Sequence, residues 1–158
     1  MNRVVVLGRG GAGKSALAAR LGVLTGLPVI ELDKHFWSRD FAPLAMDQWN
    51  ALQRNLISAE RWILDGDLGP YDAPELRLNA ADTVIVLDFP LWRCARRAAR
   101  RSRENFAFWR WLISYRRRSL PTVLTAIAVH ARDADVYLLR RPRDVQKFLA
   151  RVNQGRSP

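Results

Sequence analysis

Short apolar runs alternate along the chain with longer segments whose apolar residues recur every three or four positions. The runs are typical of buried strands, and the spacing is typical of amphipathic helices. The predicted strands span residues 4–7, 29–32, 62–64, 83–87 and 136–139. The predicted helices span residues 14–24, 47–59, with Asp47 as N-cap, 91–103, 106–118, 123–131 and 142–151. This alternation predicts an α/β fold in which helices cover both faces of a parallel sheet.

Three polar features come directly after predicted strands. A glycine-rich segment follows the first strand, Asp33 follows the second, and Asp65 follows the third. Parallel sheets bind their ligands beyond the carboxyl ends of the strands. We therefore expect these three features to share one site.

The glycine-rich segment, GRGGAGKS at residues 8–15, matches the phosphate-binding pattern GxxxxGK[ST]. Glycines let successive backbone N–H groups converge on phosphate oxygens, and the following helix adds its own unpaired N–H groups. Lys14 is expected to reach the β- and γ-phosphates and Ser15 to ligate Mg²⁺. The predicted ligands are therefore ATP and Mg²⁺. The predicted ATP-binding residues are Gly8, Gly10, Gly11, Ala12, Gly13, Lys14, Ser15 and Ala16.

A magnesium ion on a nucleotide usually needs a carboxylate from a neighbouring strand. Asp65, at the end of the run WILD, is the candidate, and Asp88, at the end of TVIVLD, is the competitor. Asp88 could equally cap the helix that follows it. Asp33 could orient or deprotonate an acceptor hydroxyl, or could only cap a turn.

The formal net charge of +11 is concentrated in one part of the chain. Residues 93–118 contain ten arginines and one acidic residue, a balance of +9. Like charges at helical spacing repel one another, and an anionic ligand relieves that repulsion. Residues 91–118 are therefore predicted to form a helical lid that closes over bound phosphates. A solvated basic face is the alternative for most of these arginines, and nucleic acid is a possible but not favoured partner.

Length and composition limit the remaining possibilities. A chain of 158 residues of which 49% are hydrophobic predicts one domain spanning residues 1–158. The single cysteine, Cys94, excludes an intramolecular disulfide. No signal peptide precedes the glycine-rich segment, and the apolar stretch at 120–129 is too short to cross a bilayer. A cytoplasmic protein with no membrane partner is expected, and the oligomeric state stays open.

Over nearly its whole length the chain resembles small bacterial P-loop proteins of the adenylate kinase-like group that are called DNA topology modulation proteins. The segments that carry the resemblance are VVVLGRGGAGKSALA, LPVIELDKHFW, RWILDGD, ADTVIVLDFPLW, WLISYRRRS and VYLLRRPRDVQKFL. The resemblance implies a three-layer αβα P-loop NTPase fold of the nucleoside/nucleotide kinase type. Its parallel five-stranded sheet would have the order 2-3-1-4-5, with an ATP site on the glycine loop and a helical lid.

The same resemblance implies roles for particular residues. Asp65 matches the acid that serves the metal, and Arg97 and Arg101 match the pair of arginines at the base of the lid that hold ATP. Arg116 or Arg118 matches the arginines that contact the transferred phosphate. Asp33 takes the place at which shikimate kinase-like relatives hold their acceptor.

These features together predict a kinase that moves the γ-phosphate of Mg·ATP to a small acceptor. A nucleoside monophosphate is the favoured acceptor. Two alternatives remain: a kinase of a non-nucleotide metabolite, in which Asp33 orients the hydroxyl, and an ATP-binding, nucleic-acid-associated regulator with weak turnover.

Overall fold

The computed structural model describes residues 1–37, 42–68, 72–100 and 106–155. Five strands pair in parallel to form one sheet in the order β2-β3-β1-β4-β5. The strands are β1 (Arg3–Gly8), β2 (Val29–Glu31), β3 (Trp62–Asp65), β4 (Thr83–Leu87) and β5 (Asp135–Leu139). The predicted strand order is therefore confirmed, and the carboxyl ends of β1, β2 and β3 lie along the same edge of the sheet.

Helices cover both faces of this sheet. They are α1 (Lys14–Thr25), α2 (Asp33–Phe36), α3 (Met46–Ile57), α4 (Glu75–Ala80), α5 (Leu91–Ala99), α6 (Phe106–His130) and α7 (Pro142–Gln154). The strand β1 shows why a layer is needed on each side, because Val4 and Val6 face one core and Val5 and Leu7 face the other. The first core contains side chains of α1 and α7, and the second contains side chains of α3, α4 and most of α6.

Several predicted elements differ from those in the structure. The helices predicted at 106–118 and 123–131 are one continuous helix, α6, which contains Pro121. Proline removes one helical hydrogen bond, but Tyr115, Leu120 and Ile127 are buried on both sides of it and hold the helix together. The short helices α2 and α4 were not predicted. The helix α5 ends at Ala99, with Arg100 as its C-cap, and residues 101–103 of its predicted range lie outside the described residues.

The predicted N-cap Asp47 is also wrong. The helix α3 begins at Met46, its N-cap is Ala45, and Asp47 lies in the first turn. An acidic residue in the first turn is still favourable, because it faces the positive end of the helix dipole. Among the described residues, no helix is both long enough and apolar enough to span a bilayer.

A buried ion pair holds the segment that follows β3. The guanidinium of Arg77 pairs with the Asp72 carboxylate and also donates a hydrogen bond of 2.9 Å to Oε1 of Gln53. Both side chains of the ion pair are almost completely buried. Oδ2 of Asp72 also accepts a hydrogen bond from the Leu68 backbone N–H, so the network fixes the chain beyond the sheet edge.

Replacing Asp72 by asparagine is expected to lower the free energy of unfolding by about 3–5 kcal/mol, because the buried Arg77 charge would lose its partner. Urea denaturation at neutral pH measures this change. The control is Glu75→Gln, which removes an exposed carboxylate from the first turn of α4. Equal midpoints for Asp72→Asn and the wild type would contradict the prediction.

Candidate phosphate-transfer site

The glycine-rich segment forms a loop between β1 and α1 that only glycines can form without strain. Gly8 and Gly11 have φ angles of 137° and 72°, which L-residues with side chains rarely adopt. A Cβ atom at Gly8 would also lie 2.6 Å from the carbonyl oxygen of Leu87 on β4. The loop closes with a hydrogen bond of 3.1 Å from the Ala12 N–H to the Arg9 carbonyl. The glycines of the phosphate-binding pattern are therefore required by the backbone conformation of the loop.

The helix α1 begins at Lys14, directly after Gly13, as predicted. No side chain caps its N-terminus, so its first backbone N–H groups can bind an anion. Nζ of Lys14 donates a hydrogen bond of 2.9 Å to the Gly8 carbonyl, which holds the ammonium group across the loop. Lys14 and Ser15 both line an open cleft of about 1590 Å³ above the sheet edge.

Asp65 is the last residue of β3, and its carboxylate interacts with Lys14 and Ser15. Burial raises the pKa of its carboxyl group, while the Ser15 hydroxyl and the Lys14 charge act in the opposite direction. Its Oδ1 atom is buried without a hydrogen-bond partner. A buried oxygen without a partner, beside a serine hydroxyl, fits a magnesium ion or one of its water ligands.

The donor set also fits the way in which magnesium binds to nucleotides. Among the described residues, no group of three or more His, Cys, Asp or Glu side chains could hold a metal alone. Mg²⁺ at a triphosphate needs only one or two protein ligands, because phosphates and water supply the others. Ser15 and Asp65 are therefore sufficient to complete such a site.

Replacing Asp65 by asparagine is expected to stabilise the ligand-free protein and to abolish stabilisation by Mg²⁺. In the folded protein, burial raises the pKa of Asp65 above the ordinary value for an aspartate, so this group favours folding only at acidic pH. At pH 7.5 its buried negative charge costs stability, and asparagine removes that cost, on the order of 1 kcal/mol. Melting temperatures with ATP, with and without Mg²⁺, measure both effects. The control is Asp133→Asn at an exposed position, and a lower melting temperature with an intact Mg²⁺ response contradicts the prediction.

Asp33 is the first residue of α2 and faces the same cleft. Its surroundings desolvate the carboxylate and raise its pKa, although Lys14 and a hydrogen bond from Trp37 lower it. Asp33 is nevertheless exposed at the cleft wall, where a ligand can reach its carboxylate, and the carboxylate interacts with the Lys14 charge. This arrangement suits a group that accepts a proton from an alcohol near the bound phosphates.

Asp67 has a supporting position that the sequence did not indicate. Its Oδ2 atom accepts hydrogen bonds from the Gly8 backbone N–H, at 3.2 Å, and from the Tyr115 hydroxyl, at 2.6 Å. Burial raises the pKa of Tyr115, and the neighbouring Asp67 charge raises it further, so the phenol remains a proton donor. The carboxylate of Asp67 therefore ties α6 to the first residue of the phosphate loop.

The arginines of the predicted lid region differ from one another in their surroundings. The guanidinium of Arg97 on α5 lies beside Gly13 and donates a hydrogen bond of 3.1 Å to the Ala12 carbonyl. Arg116 pairs at 2.9 Å with the buried Asp88 carboxylate, so Asp88 has a structural partner instead of a free metal-binding position. Arg117 and Arg118 line the cleft. Arg101 lies outside the described residues, and the catalytic roles of Arg97, Arg101 and Arg116 stay predictions.

Aromatic rings from α6 cover the cleft side of the loop. The Cβ of any larger residue at position 10 would lie 2.8 Å from the Phe108 ring and 3.0 Å from Trp111. Trp111 also packs edge-on against Tyr115, with 5.4 Å between ring centroids. Helical spacing favours core positions for Trp109, Trp111 and Tyr115, and Tyr115 is fully buried. Trp109 and Trp111 are half-buried, pack against the core and also line the cleft, together with Phe108. They can exclude water from the loop.

Comparison with known proteins agrees with this architecture. A shikimate kinase from Acinetobacter baumannii in complex with shikimate superposes with a TM-score of 0.68, at 15% identity, over 98% of this chain and 92% of its own. A gluconokinase from Sinorhizobium meliloti 1021 superposes with a TM-score of 0.57, at 17% identity, over 98% of this chain and 94% of its own. A shikimate kinase from Bacteroides thetaiotaomicron superposes with a TM-score of 0.59, at 14% identity, over 97% of this chain and 96% of its own.

At these identities the likeness establishes the fold, which is the three-layer αβα fold of P-loop kinases. Neither a protein-family model nor a curated protein matches the sequence.

Proposed function

We propose that this chain is an ATP-dependent kinase that transfers the γ-phosphoryl group of Mg·ATP to a hydroxyl group of a small metabolite. The observation that carries the proposal is the shared cleft of Lys14, Ser15 and Asp33. The charge of Lys14 lowers the pKa of both Asp33 and Asp65, so one ammonium group lies near the proposed acceptor carboxylate and the proposed metal carboxylate. A phosphoryl-transfer site needs the phosphate loop, the acceptor base and the metal ligand close together.

The reaction follows from these positions. The acceptor hydroxyl oxygen forms a bond to the γ-phosphorus, the bond from that phosphorus to the β–γ bridging oxygen breaks, and ADP leaves. Asp33 accepts the hydroxyl proton, and Lys14 neutralises charge on the transferred group. Ser15 and Asp65 would hold Mg²⁺, which would supply further charge neutralisation when it is bound. The apolar rings of Phe108 and Trp111 line the cleft and limit the access of water to the acceptor.

The acceptor is proposed to carry an anionic group besides its hydroxyl. Arg117 and Arg118 line the cleft that also contains Asp33, and a guanidinium can bind a carboxylate or phosphate with two parallel hydrogen bonds. A small metabolite is favoured over a nucleoside monophosphate because the neighbours that span almost the whole chain are a gluconokinase and shikimate kinases. This preference reverses the order of acceptors that the sequence suggested.

A nucleoside monophosphate remains the second candidate because of the size and lining of the cleft. Its volume of about 1590 Å³ exceeds the roughly 300–1,000 Å³ of most small-molecule sites. Trp109 and Trp111 border it and could stack on a base. The narrower resemblance to adenylate kinase-like bacterial proteins supports the same candidate.

The arginines support an anion site better than a nucleic-acid surface. Arg97 bonds to the phosphate loop, Arg116 pairs with Asp88, and Arg117 and Arg118 line the cleft. Two of these four arginines thus have partners within the protein and the other two face the cleft, which favours a small anionic ligand over a nucleic acid duplex.

The test is ADP release from Mg·ATP with a panel of acceptors, followed by ³¹P NMR of the product. The panel contains hydroxy acids, the corresponding uncharged polyols and the nucleoside monophosphates. We expect a new phosphate ester with a hydroxy acid and none with its uncharged analogue. An ester formed only from a nucleoside monophosphate supports the second candidate, and no ester from any acceptor contradicts the proposed function.

A further inference from the structure

Arg9, the second residue of the phosphate loop, is buried and has no assigned role. Its residue surface is only 2% exposed, although it lies between two glycines in a loop at the edge of the sheet. Arginine is seldom buried without a partner, because its desolvated charge is costly. The side chain therefore needs an explanation beyond packing.

The contacts of Arg9 do not satisfy its guanidinium. The group lies over the Tyr115 ring, 5.6 Å from its centroid, in a cation–π arrangement. Its Nε and Nη1 atoms are buried with no hydrogen-bond partner, and it forms no ion pair within the described part of the chain. Asp88, a neighbouring carboxylate, pairs with Arg116 instead. Two N–H donors are thus left for an acceptor from outside the chain.

The position of Arg9 relates it to the proposed chemistry. The carbonyl of Cys94 lies beside Gly11 in the loop, and the positive charges of Arg9, Lys14 and Arg97 all act on the Cys94 thiol and oppose the rise of its pKa on burial. Arg97 reaches the loop at Gly13, next to α1. Arg9 is the second residue of the loop and lies over Tyr115, whose hydroxyl binds Asp67. Arg97 and Arg9 are therefore associated with different ends of the loop.

We propose that Arg9 is a phosphate-binding residue whose Nε–H and Nη1–H groups bind the terminal phosphoryl group on the acceptor side of the loop. This inference rests on the proposed function, because it requires a triphosphate in the loop. Phe108 and Trp111, which lie against the neighbouring Gly10, cover this part of the loop, and their displacement gives the ligand access to Arg9. The buried donors then gain the acceptors that the protein itself does not provide.

The test compares the wild type with Arg9→Met, which keeps the length and apolar contacts of the side chain. Melting temperature is measured without ligand, and dissociation constants are measured by calorimetry for inorganic tripolyphosphate, Mg·ATP and Mg·ADP. We expect an equal or higher melting temperature without ligand, because an unpaired buried charge is removed. Binding of tripolyphosphate and Mg·ATP should weaken by at least about tenfold, and binding of Mg·ADP by much less, because two charge-assisted hydrogen bonds to the terminal group are lost.

Two further variants make the outcome specific. Arg143→Met, at an exposed position on α7, should leave every constant unchanged. If Arg9→Met melts lower than the wild type and binds tripolyphosphate and Mg·ATP equally well, Arg9 is structural and the inference is overturned. Lys14→Met separates this failure from failure of the proposed function. Loss of binding in Lys14→Met together with full binding in Arg9→Met overturns only the Arg9 inference, whereas full binding in both variants overturns the phosphate site itself.

Discussion

Lys14→Ala is expected to reduce phosphoryl transfer by several orders of magnitude while the protein remains folded. The ammonium group lies 2.9 Å from the Gly8 carbonyl across the phosphate loop. It is the charge that influences both Asp33 and Asp65. Catalysis of phosphoryl transfer depends almost entirely on positioning and charge neutralisation, so removal of this cation affects both. The measurement is kcat and KM for the best acceptor, with Mg·ATP varied.

The control for this variant is Lys147→Ala, because Lys147 is an exposed lysine on α7 and lies outside the cleft. It should retain wild-type turnover. Circular dichroism and thermal denaturation check that Lys14→Ala is folded. Turnover within tenfold of the wild type in a folded Lys14→Ala protein would exclude the phosphate loop as the catalytic centre.

The second large effect is expected for Asp33→Asn, which should lower kcat by about 10²–10⁴ with little change in the KM for ATP. Asparagine has a similar shape but cannot accept the hydroxyl proton. Asp33 lies at the cleft wall, at the start of α2, and is not part of the glycine-rich loop that is proposed to bind ATP. Nucleotide binding should therefore persist, and calorimetry with Mg·ATP measures it directly.

The pH dependence of kcat provides a second test of the role of Asp33, because the direction of the change can be predicted. Desolvation raises the pKa of Asp33 above the ordinary value for an aspartate, and only the ionised carboxylate accepts a proton. In the wild type, kcat should therefore fall as the pH is lowered through this raised pKa, and Asp33→Asn should lack that acidic limb. A matched control is Asp47→Asn, at an exposed position in the first turn of α3. An acidic limb that persists in Asp33→Asn would assign the proton transfer to another group.

Features that depend on residues close together in the chain could be predicted from the sequence. The phosphate loop needs only the residues 8–15, because the glycines, Lys14 and Ser15 are neighbours in the chain. Asp33 and Asp65 could be placed because a parallel sheet brings the ends of adjacent strands to one edge. The strand order came from the family resemblance, and the structure confirms it.

The parts that depend on distant contacts could not be predicted. Tyr115 binds Asp67 across 48 positions of sequence, and Arg116 pairs with Asp88 across 28. Side-chain spacing on one helix does not reveal partners on another element, so the role of Asp88 stayed open. Pro121 lies inside α6 although proline normally ends helices, because buried residues on either side outweigh the lost hydrogen bond. Local propensity could not reveal that compensation.

The hydrogen bonds of Asp67 also limit how α6 can move. Its carboxylate joins the Tyr115 hydroxyl to the Gly8 N–H, so the third turn of α6 is tied to the first residue of the glycine-rich loop. A displacement of Tyr115 away from the loop would break one of these hydrogen bonds. The half-buried rings of Phe108 and Trp111, two turns and one turn earlier, are therefore expected to move more readily than the phenol.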